Sequence, residues 1–505
     1  MHGLEEFRAD HNDLTPNGKA WWQELNRYHW FVLIVAALGW LFDCLDQQLF
    51  ILARPAAMKE LLPKMDDPAA FDQAVKIYGN YATSIFLAGW ALGGVVFGML
   101  GDRWGRAKTM MITILLYSLF TGLSALSTGF WDFAFYRFLT GLGVGGEFAV
   151  GVALVAEVMP ARARPRCLAL LQALSAIGNI SAAFINLGLG IAEEHGLPYS
   201  PWRIMFLIGA VPALLALVIR RRLKEPEQWK QAQLDDVVTK QLGSYTELFR
   251  TPIWRKHALL GLVLACSGVI GLWAVGFFTP DLMRLVQRKG VAQQVYAERI
   301  AKAEAAGEAD QVAQLKALSE LENQKGAKVP DELMAMKKEV EPAINGRLSK
   351  WGSYTSLMIN FGAFFGMFGF GWLSERIGRK PTFAMGFIAA FLSTAGVFWF
   401  LRDFTQLFWL VPLMGFCQLS LFAGYAMYFP ELFPTRLRST GTSFCYNVGR
   451  FLAAIGPIIQ AELIKYFAGA EESLRSAGVV MSVVFLLGLV VLPFLPETKG
   501  KLLPE

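Results

Sequence analysis

Apolar residues in this chain gather into runs of roughly 20, the length an α-helix needs to cross a hydrocarbon layer. The runs fall near 31–52, 79–100, 108–129, 131–158, 168–192 and 202–221, then near 257–285, 352–373, 382–401, 406–430, 439–466 and 477–495. Twelve predicted spans thus divide six and six around a charged connection. The expected organisation is all-α and membrane-integral: a polar segment 1–30, a six-helix bundle 31–221, a linker 222–256, a second six-helix bundle 257–495 and a tail 496–505. One connection is out of scale. Residues 286–350, between the seventh and eighth spans, are Ala-rich and of mixed charge; 292–306 and 308–324 read as helices parted by Gly307, with Pro330 and Pro342 punctuating the remaining stretch to 350.

Composition removes alternatives. The chain is 54% hydrophobic and only 17% charged, against about 25% charged in a soluble domain. The first 30 residues hold no apolar core with a small-residue cleavage site, so no signal peptide is read. The net charge of +6 reflects Lys and Arg in loops and gives no reason to expect a nucleic-acid partner. Cys44, Cys167, Cys266, Cys417 and Cys445, an odd and scattered set, make neither a disulfide framework nor a metal site. The basic residues also orient the chain. Arg103, Arg106 and Lys108 follow the second span, Arg162, Arg164 and Arg166 the fourth, Arg220, Arg221, Arg222 and Lys224 the sixth, and Arg376, Arg379, Lys380, Arg436 and Arg438 the eighth and tenth. Connections on the other side hold few, such as Arg203 and Arg402. The positive-inside rule puts both termini in the cytoplasm of a multi-pass cell (inner) membrane protein and 286–350 outside. There the insert is a cap over an entry path, a docking surface, or a solvated hairpin without a role in transport.

Two loop motifs are written twice. Gly98-Met-Leu-Gly-Asp102-Arg103-Trp-Gly105-Arg106-Ala-Lys108 returns as Gly371-Trp-Leu-Ser-Glu375-Arg376-Ile-Gly378-Arg379-Lys-Pro381. Glu157-Val-Met-Pro160-Ala-Arg162-Ala-Arg164 returns as Glu431-Leu-Phe-Pro434-Thr-Arg436-Leu-Arg438. Both recur roughly 270 residues on, the mark of a duplicated membrane domain. A plain basic loop explains the arginines; it does not explain acids and glycines at matching places twice. Asp102 and Glu375 are acceptors able to meet a helix N-terminus or an arginine in one conformation only. With Arg103, Arg106, Glu157, Arg376, Arg379, Glu431 and Arg436 they form the expected conformational latch.

On these motifs the sequence resembles the major facilitator superfamily. The match extends to Arg137-Phe-Leu-Thr-Gly141-Leu-Gly143-Val-Gly145-Gly146-Glu147 in the fourth span, Lys224-Glu225-Pro226-Glu227 after the sixth and Pro496-Glu497-Thr498-Lys499-Gly500 after the twelfth. It covers nearly the whole chain outside 286–350. The resemblance implies two six-helix bundles rocking about a central site, with the loop acids latching the outward-facing state. In Asp43-Cys-Leu-Asp46 of the first span and Gly145-Gly146-Glu147 of the fourth it is similar to proton-coupled aromatic-acid and metabolite symporters. The PETKG ending is shared with sugar porters.

Ionisable residues inside spans are costly and functional by default. Asp43 and Asp46, three apart, share a helix face; two close carboxylates favour keeping one proton. They form a proton-coupling site, or lie at the wet end of the span, or pair with an arginine. Glu147 and Arg137 stand roughly 15 Å apart along their helix, so each needs a partner elsewhere. Asp43, Asp46, Glu147 and Arg137 are the proton-coupling candidates. In the eleventh span Tyr446, Asn447 and Arg450 share a face, and a guanidinium grips a carboxylate through two hydrogen bonds. The alternative is an ion pair between Arg450 and an acid of the first or fourth span. Gln172, Ser175 and Asn179 stripe the fifth span, Tyr354 and Asn360 lie on the eighth, and Gln418, Tyr425 and Tyr428 on the tenth. Such polar residues often only join helices, and Trp273 is packing or a stacking surface.

The expected function is proton-coupled symport of a small organic carboxylate, with Arg450, Tyr446, Asn447, Gln172, Asn179, Asn360, Gln418 and Tyr425 about the substrate. A sugar or polyol symporter and a transporter-like sensor remain as alternatives. The expected partners are an anionic small molecule and the bilayer, for a monomer with no cofactor, driven by the proton gradient. No Walker loop, His/Cys metal spacing or nucleophile motif points to an enzyme.

Overall fold

In the computed structural model the described residues are 20–63, 68–194, 198–234, 241–323, 330–453 and 473–504, with the single positions 459, 463 and 466. Among them every regular element is helical. The first half holds α1 (Arg27–Leu61), α2 (Pro68–Trp104), α3 (Arg106–Ser124), α4 (Phe130–Val158), α5 (Arg164–Glu194), α6 (Pro201–Ile208) and α7 (Ala213–Arg222). Short helices α8 (Glu227–Leu234) and α9 (Tyr245–Arg250) occupy the linker. The second half holds α10 (Pro252–Ile270), α11 (Thr279–Ala306), α12 (Ala309–Asn323), α13 (Asp331–Ile377), α14 (Arg379–Phe400), α15 (Phe404–Leu432), α16 (Arg438–Ala453), α17 (Ser473–Ser482) and α18 (Leu487–Val491).

Ten helices among the described residues are long and apolar enough to cross a membrane, and Pro201–Ala216 is a shorter apolar helix. This is a multi-pass membrane protein. Much of the expected span 439–466, with Gly456 and Pro457, lies outside the described residues. The breaks between helices obey local chemistry. Asn26 caps α1 by accepting the His29 N–H at 2.8 Å. Gly105 at φ 107° turns α2 into α3, and Gly378 at φ 101° turns α13 into α14. L side chains rarely adopt that backbone, which explains a glycine at the same place in both copies.

The insert shows the expected two helices parted at Gly307 but differs at its flanks. Its first helix is the unbroken continuation α11, which starts at Thr279 after a π-turn, Gly271–Val275, and a 3-10 turn, Gly276–Phe278. Gly307 at φ 75° closes it, and α12 comes next. Pro330 caps α13, but the helix runs straight through position 342 where a break was expected. Val340, Ile344 and Leu348 around that position are buried with Tyr296, Leu315 and Leu318 in a small core of the insert's own. Burial of that face holds the helix together across a residue that costs it a hydrogen bond.

The two halves meet along two antiparallel helix pairs, α2 with α16 and α5 with α13. Glycines allow the close approach: a side chain at Gly94 would strike Asn447, one at Gly98 Ser443, and one at Gly371 Ala169.

Candidate substrate and proton site

At the loop end the repeat has become a pair of ion clusters. Arg106 donates to Glu157 through Nε at 3.0 Å and Nη2 at 2.9 Å. In the second half Arg379 donates to Glu431 through the same atoms at 3.1 and 2.7 Å. Both arginines open a helix, and each helix is also capped by the glutamate that ends its half. Glu225 accepts from the Ala107 and Lys108 N–H groups at 3.1 and 3.0 Å. Glu497 accepts from the Arg379 and Lys380 N–H groups, both at 2.9 Å. Burial opposes the charged form of Glu497, but the backbone N–H groups of Arg379, Lys499, Lys380 and Thr498 prevail and hold its carboxyl below the ordinary glutamate value.

The same end carries bonds between the halves. Asp102 accepts from the Ser439 and Thr440 N–H groups at 3.1 and 2.8 Å and from the Thr440 hydroxyl at 2.6 Å, an anion seated on the N-terminus of α16. Arg438 donates to Glu157 at 2.7 Å, Arg106 to the Thr435 carbonyl at 2.7 Å, and Arg166 pairs with Glu375. Arg103 reaches the Leu242 carbonyl of the linker at 3.0 Å, and the Gly243 N–H donates to the Arg436 carbonyl at 2.9 Å. Arg376 instead lies 3.8 Å over the Trp372 ring of its own helix.

Because α2 and α16 run antiparallel, successive turns pair off along them: Asp102 with 439–440, Gly98 with Ser443, Gly94 with Asn447, and Trp90 with Arg450. Asp102 and Trp90, twelve residues apart, are about 18 Å apart along the helix. One helix pair therefore carries Asp102 at its loop end and Arg450 three turns deeper.

Arg450 is 6% exposed. Its Cζ lies 4.1 Å from the Trp90 ring centre and 4.3 Å from that of Tyr446. Nη1 donates to Asn447 Oδ1 at 2.5 Å, and the buried Nε–H finds no acceptor. Asn447 in turn donates to the Gly145 carbonyl at 3.2 Å. Tyr446 stacks on Phe148 at 4.1 Å, and Phe148 packs on Trp40 at 4.7 Å. Trp90 packs edge-on to Trp273 at 6.3 Å, across the halves. A guanidinium beside aromatic faces, with one N–H edge unused, is prepared for a carboxylate.

The acids divide differently from the sequence reading. Asp46 accepts from Thr121 at 2.6 Å and lies 3.6 Å from Arg137, which also donates to Ser124 and Thr140. Asp43 lies one turn from Gly39, on the stretch of α1 that Glu147 meets, and makes no ion pair with Arg137. Glu147 fills the space that a side chain at Gly39, one turn before Asp43, would take. Neither Asp43 oxygen and not Glu147 Oε1 has a donor. The Asp43–Asp46 pairing expected from spacing gives way because residues three apart point about 60° from each other, and Arg137 takes only one of them. For Asp46 the arginine-pair alternative is the arrangement found.

Other candidates sit at helix joints. Asn179 donates to Asn360 at 3.0 Å across the halves. Gln418 donates to Thr394 at 2.6 Å, Tyr425 to the Leu264 carbonyl at 2.9 Å and Tyr428 to the Pro496 carbonyl at 2.5 Å. Gln172 is buried with Oε1 lacking a donor, and Ser175 donates to its carbonyl at 2.7 Å. Tyr354 is 48% exposed. Sequence reasoning did not pick out Trp90, Phe148, Trp40 or Tyr117. The signal for Trp90 was its place one turn before Gly94, on the glycine face that meets α16.

The family model described as Major Facilitator Superfamily matches residues 36–297 and 349–505. The chain belongs to that superfamily and is a transporter, not an enzyme. It is similar to the niacin transporter NiaP of Acinetobacter baylyi (strain ATCC 33305 / BD413 / ADP1), 25% identical over 95% of this chain and 96% of that protein. It is also similar to the cis,cis-muconate transport protein of the same strain, 26% identical over 82% and 84%. Among solved structures it resembles the proton:xylose symporter XylE bound to 6-bromo-6-deoxy-D-glucose, with a TM-score of 0.66 and 16% identity over 94% of this chain and 98% of that one, a likeness of fold.

Proposed function

We propose that this transporter is a proton-coupled symporter of a small organic carboxylate, working by alternating access across the cell membrane. The observation that carries the reading is the buried Arg450, set against the Trp90 and Tyr446 rings with its Nε–H lacking an acceptor. Relatives named for niacin and cis,cis-muconate support the choice of a carboxylate. The topology completes it: twelve spans, both termini in the cytoplasm, and the α11–α13 insert outside. The loop end is then cytoplasmic and closed, with the substrate path open or occluded toward the exterior.

The α2–α16 register supplies the coupling between gate and site. Opening the cytoplasmic end withdraws Asp102 from the α16 N-terminus and draws Trp90 away from Arg450 along the same seam. The carboxylate on Arg450 is thereby uncovered toward the cytoplasm, and Asp43 or Glu147 releases its proton there. No cofactor enters this cycle; the proton gradient drives it. The test is uptake of radiolabelled nicotinate into liposomes holding the purified protein, under an inward proton gradient. Accumulation abolished by a protonophore is the expected result. Accumulation of xylose in place of nicotinate and muconate overturns it.

A further inference from the structure

A second cation lines up with Arg450 along α2. Near the C-terminal end of α1, Arg54 donates through Nη1 to the Thr83 hydroxyl of α2 at 2.6 Å. Thr83 donates in turn to the Gly79 carbonyl at 2.9 Å, so its hydroxyl is committed on both sides. A side chain at Gly79 would reach the Arg54 stem, with Cδ 3.4 Å and Nε 3.5 Å away. Arg54 therefore lies along α2 instead of reaching off the bundle. A guanidinium has five N–H donors; Arg54 spends one, and among the described residues no carboxylate pairs with it. The acids that flank it on α1 are taken. Asp46 pairs with Arg137, and Glu60 accepts from Ser200, Trp202 and Arg203.

Two helix registers set this cation over the site. On α2, Thr83 and Trp90 are two turns apart, within about 20° of the same face and about 10 Å along the axis. Trp90 is the ring that Arg450 lies on, and Thr83 is on its side away from Asp102 and the loop end. On α1, Asp43, Gln47 and Arg54 fall within about 40° of one another by the same count. Asp43 is buried, while Gln47, Arg54 and Thr83 are each partly exposed. The strip thus opens with distance from the loop end. An arginine without an acid is costly in a membrane-spanning helix and marks an ion path by default. Partial exposure keeps the unused N–H groups of Arg54 within reach of an anion.

We propose that Arg54 is an outer anion subsite, where the substrate carboxylate is captured before it passes down α2 to Arg450. Thr83 is a positioning residue: it holds one Nη of the guanidinium and leaves the remaining donors to the carboxylate. Attraction to a partly exposed cation speeds encounter and is screened by salt, whereas Arg450, 6% exposed, is screened much less. The inference rests on the carboxylate-symport reading and adds to it the place where the anion first binds. A neutral sugar gains nothing from such a subsite.

The experiment is the salt dependence of nicotinate uptake by liposomes holding the whole purified protein. KM is measured from about 20 to about 500 mM salt, a range over which the screening length shortens several-fold. In the unsubstituted protein KM should rise several-fold with salt. At low salt Arg54→Gln should raise KM about 10-fold, the larger part of the loss falling on KM, and the rise with salt should flatten. Arg54→Lys, which keeps the cation, should keep the salt dependence. A salt dependence that persists unchanged in Arg54→Gln marks a merely structural arginine and overturns the proposal, as does an unchanged KM. The unsubstituted protein alone suffices should the variant fail to fold: a KM independent of salt also overturns the subsite. Uptake of xylose with neither nicotinate nor muconate defeats the carboxylate reading itself, whereas salt-independent nicotinate uptake defeats the outer subsite only.

Discussion

At the loop end the two halves are chemical copies; at the membrane midpoint they are opposites. Arg106–Glu157 and Arg379–Glu431 use the same guanidinium atoms, and Glu225 and Glu497 cap the helices that those arginines open. Deeper along the helices, the first half supplies Asp43, Asp46, Glu147 and Arg137, while the second supplies Arg450 and the neutral pair Gln418–Thr394. In the proposed cycle a gate serves two bundles that move against each other, so both keep its parts. A site between them needs complementary charges, so the copies diverge there. Even at the loop end differences stand: Asp102 sits on backbone N–H groups of α16 whereas Glu375 pairs with the Arg166 side chain, and Arg103 bonds the Leu242 carbonyl whereas Arg376 lies over Trp372.

The largest expected break is at the midpoint. Arg450→Gln removes a buried cation with no substitute nearby and lowers nicotinate uptake by about 100-fold or more. The protein stays folded, which thermal melting in detergent verifies; unchanged uptake removes Arg450 from the site. Glu147→Gln comes next. Nicotinate counterflow is retained within about 3-fold, a change of less than 1 kcal/mol, while proton-driven accumulation is lost. Full accumulation clears Glu147 of that role.

Moving to the gate, Asp102→Asn weakens an anion seated on a helix N-terminus by about 1–2 kcal/mol, about a 10-fold shift toward the state open at the cytoplasmic end. Spin labels across the loop end read that shift, and an unchanged distance distribution counts against the latch. Smaller still is Glu497→Gln, which costs about 1 kcal/mol of cap energy. Because the folded-state Glu497 carboxyl is held below its ordinary value, its contribution is present above about pH 4.3 and is lost as pH falls through the folded value. Melting temperatures of the parent and variant should therefore converge on acidification. The smallest effect falls outside both regions. Arg347→Ala breaks an exposed pair with Glu298 in the insert and should leave the melting temperature within about 1 °C.

This contrast also explains what the sequence could disclose. The loop-end ion clusters were legible because charges between apolar runs are conspicuous and because the duplication repeats Asp102, Arg106 and Glu157 as Glu375, Arg379 and Glu431. Arg450 and Glu147 were legible as ions inside spans. Their grouping was not. That Asp46 turns to Arg137 while Asp43 makes no ion pair with it depends on which neighbour lies beside each, a tertiary fact that spacing cannot encode. Trp90 was hidden among 15 tryptophans and 39 phenylalanines; only the antiparallel seating of α2 on α16 singles it out. Pro342 misled for the opposite reason, since a local breaking signal yielded to burial of Val340, Ile344 and Leu348.

The length of α13 has a practical consequence. Its 47 residues make one rod of about 70 Å, continuous from the insert into the segment that packs on α5. In the proposed rocking cycle the insert is a pointer joined to the second half through the continuous helix α13. On the arm of about 30 Å that residues 331–350 make, a rocking of about 10° would sweep the tip through roughly 5 Å. A fluorophore at the α11–α12 turn, far from every residue that handles substrate, turns the molecule into its own optical gauge of which way it faces.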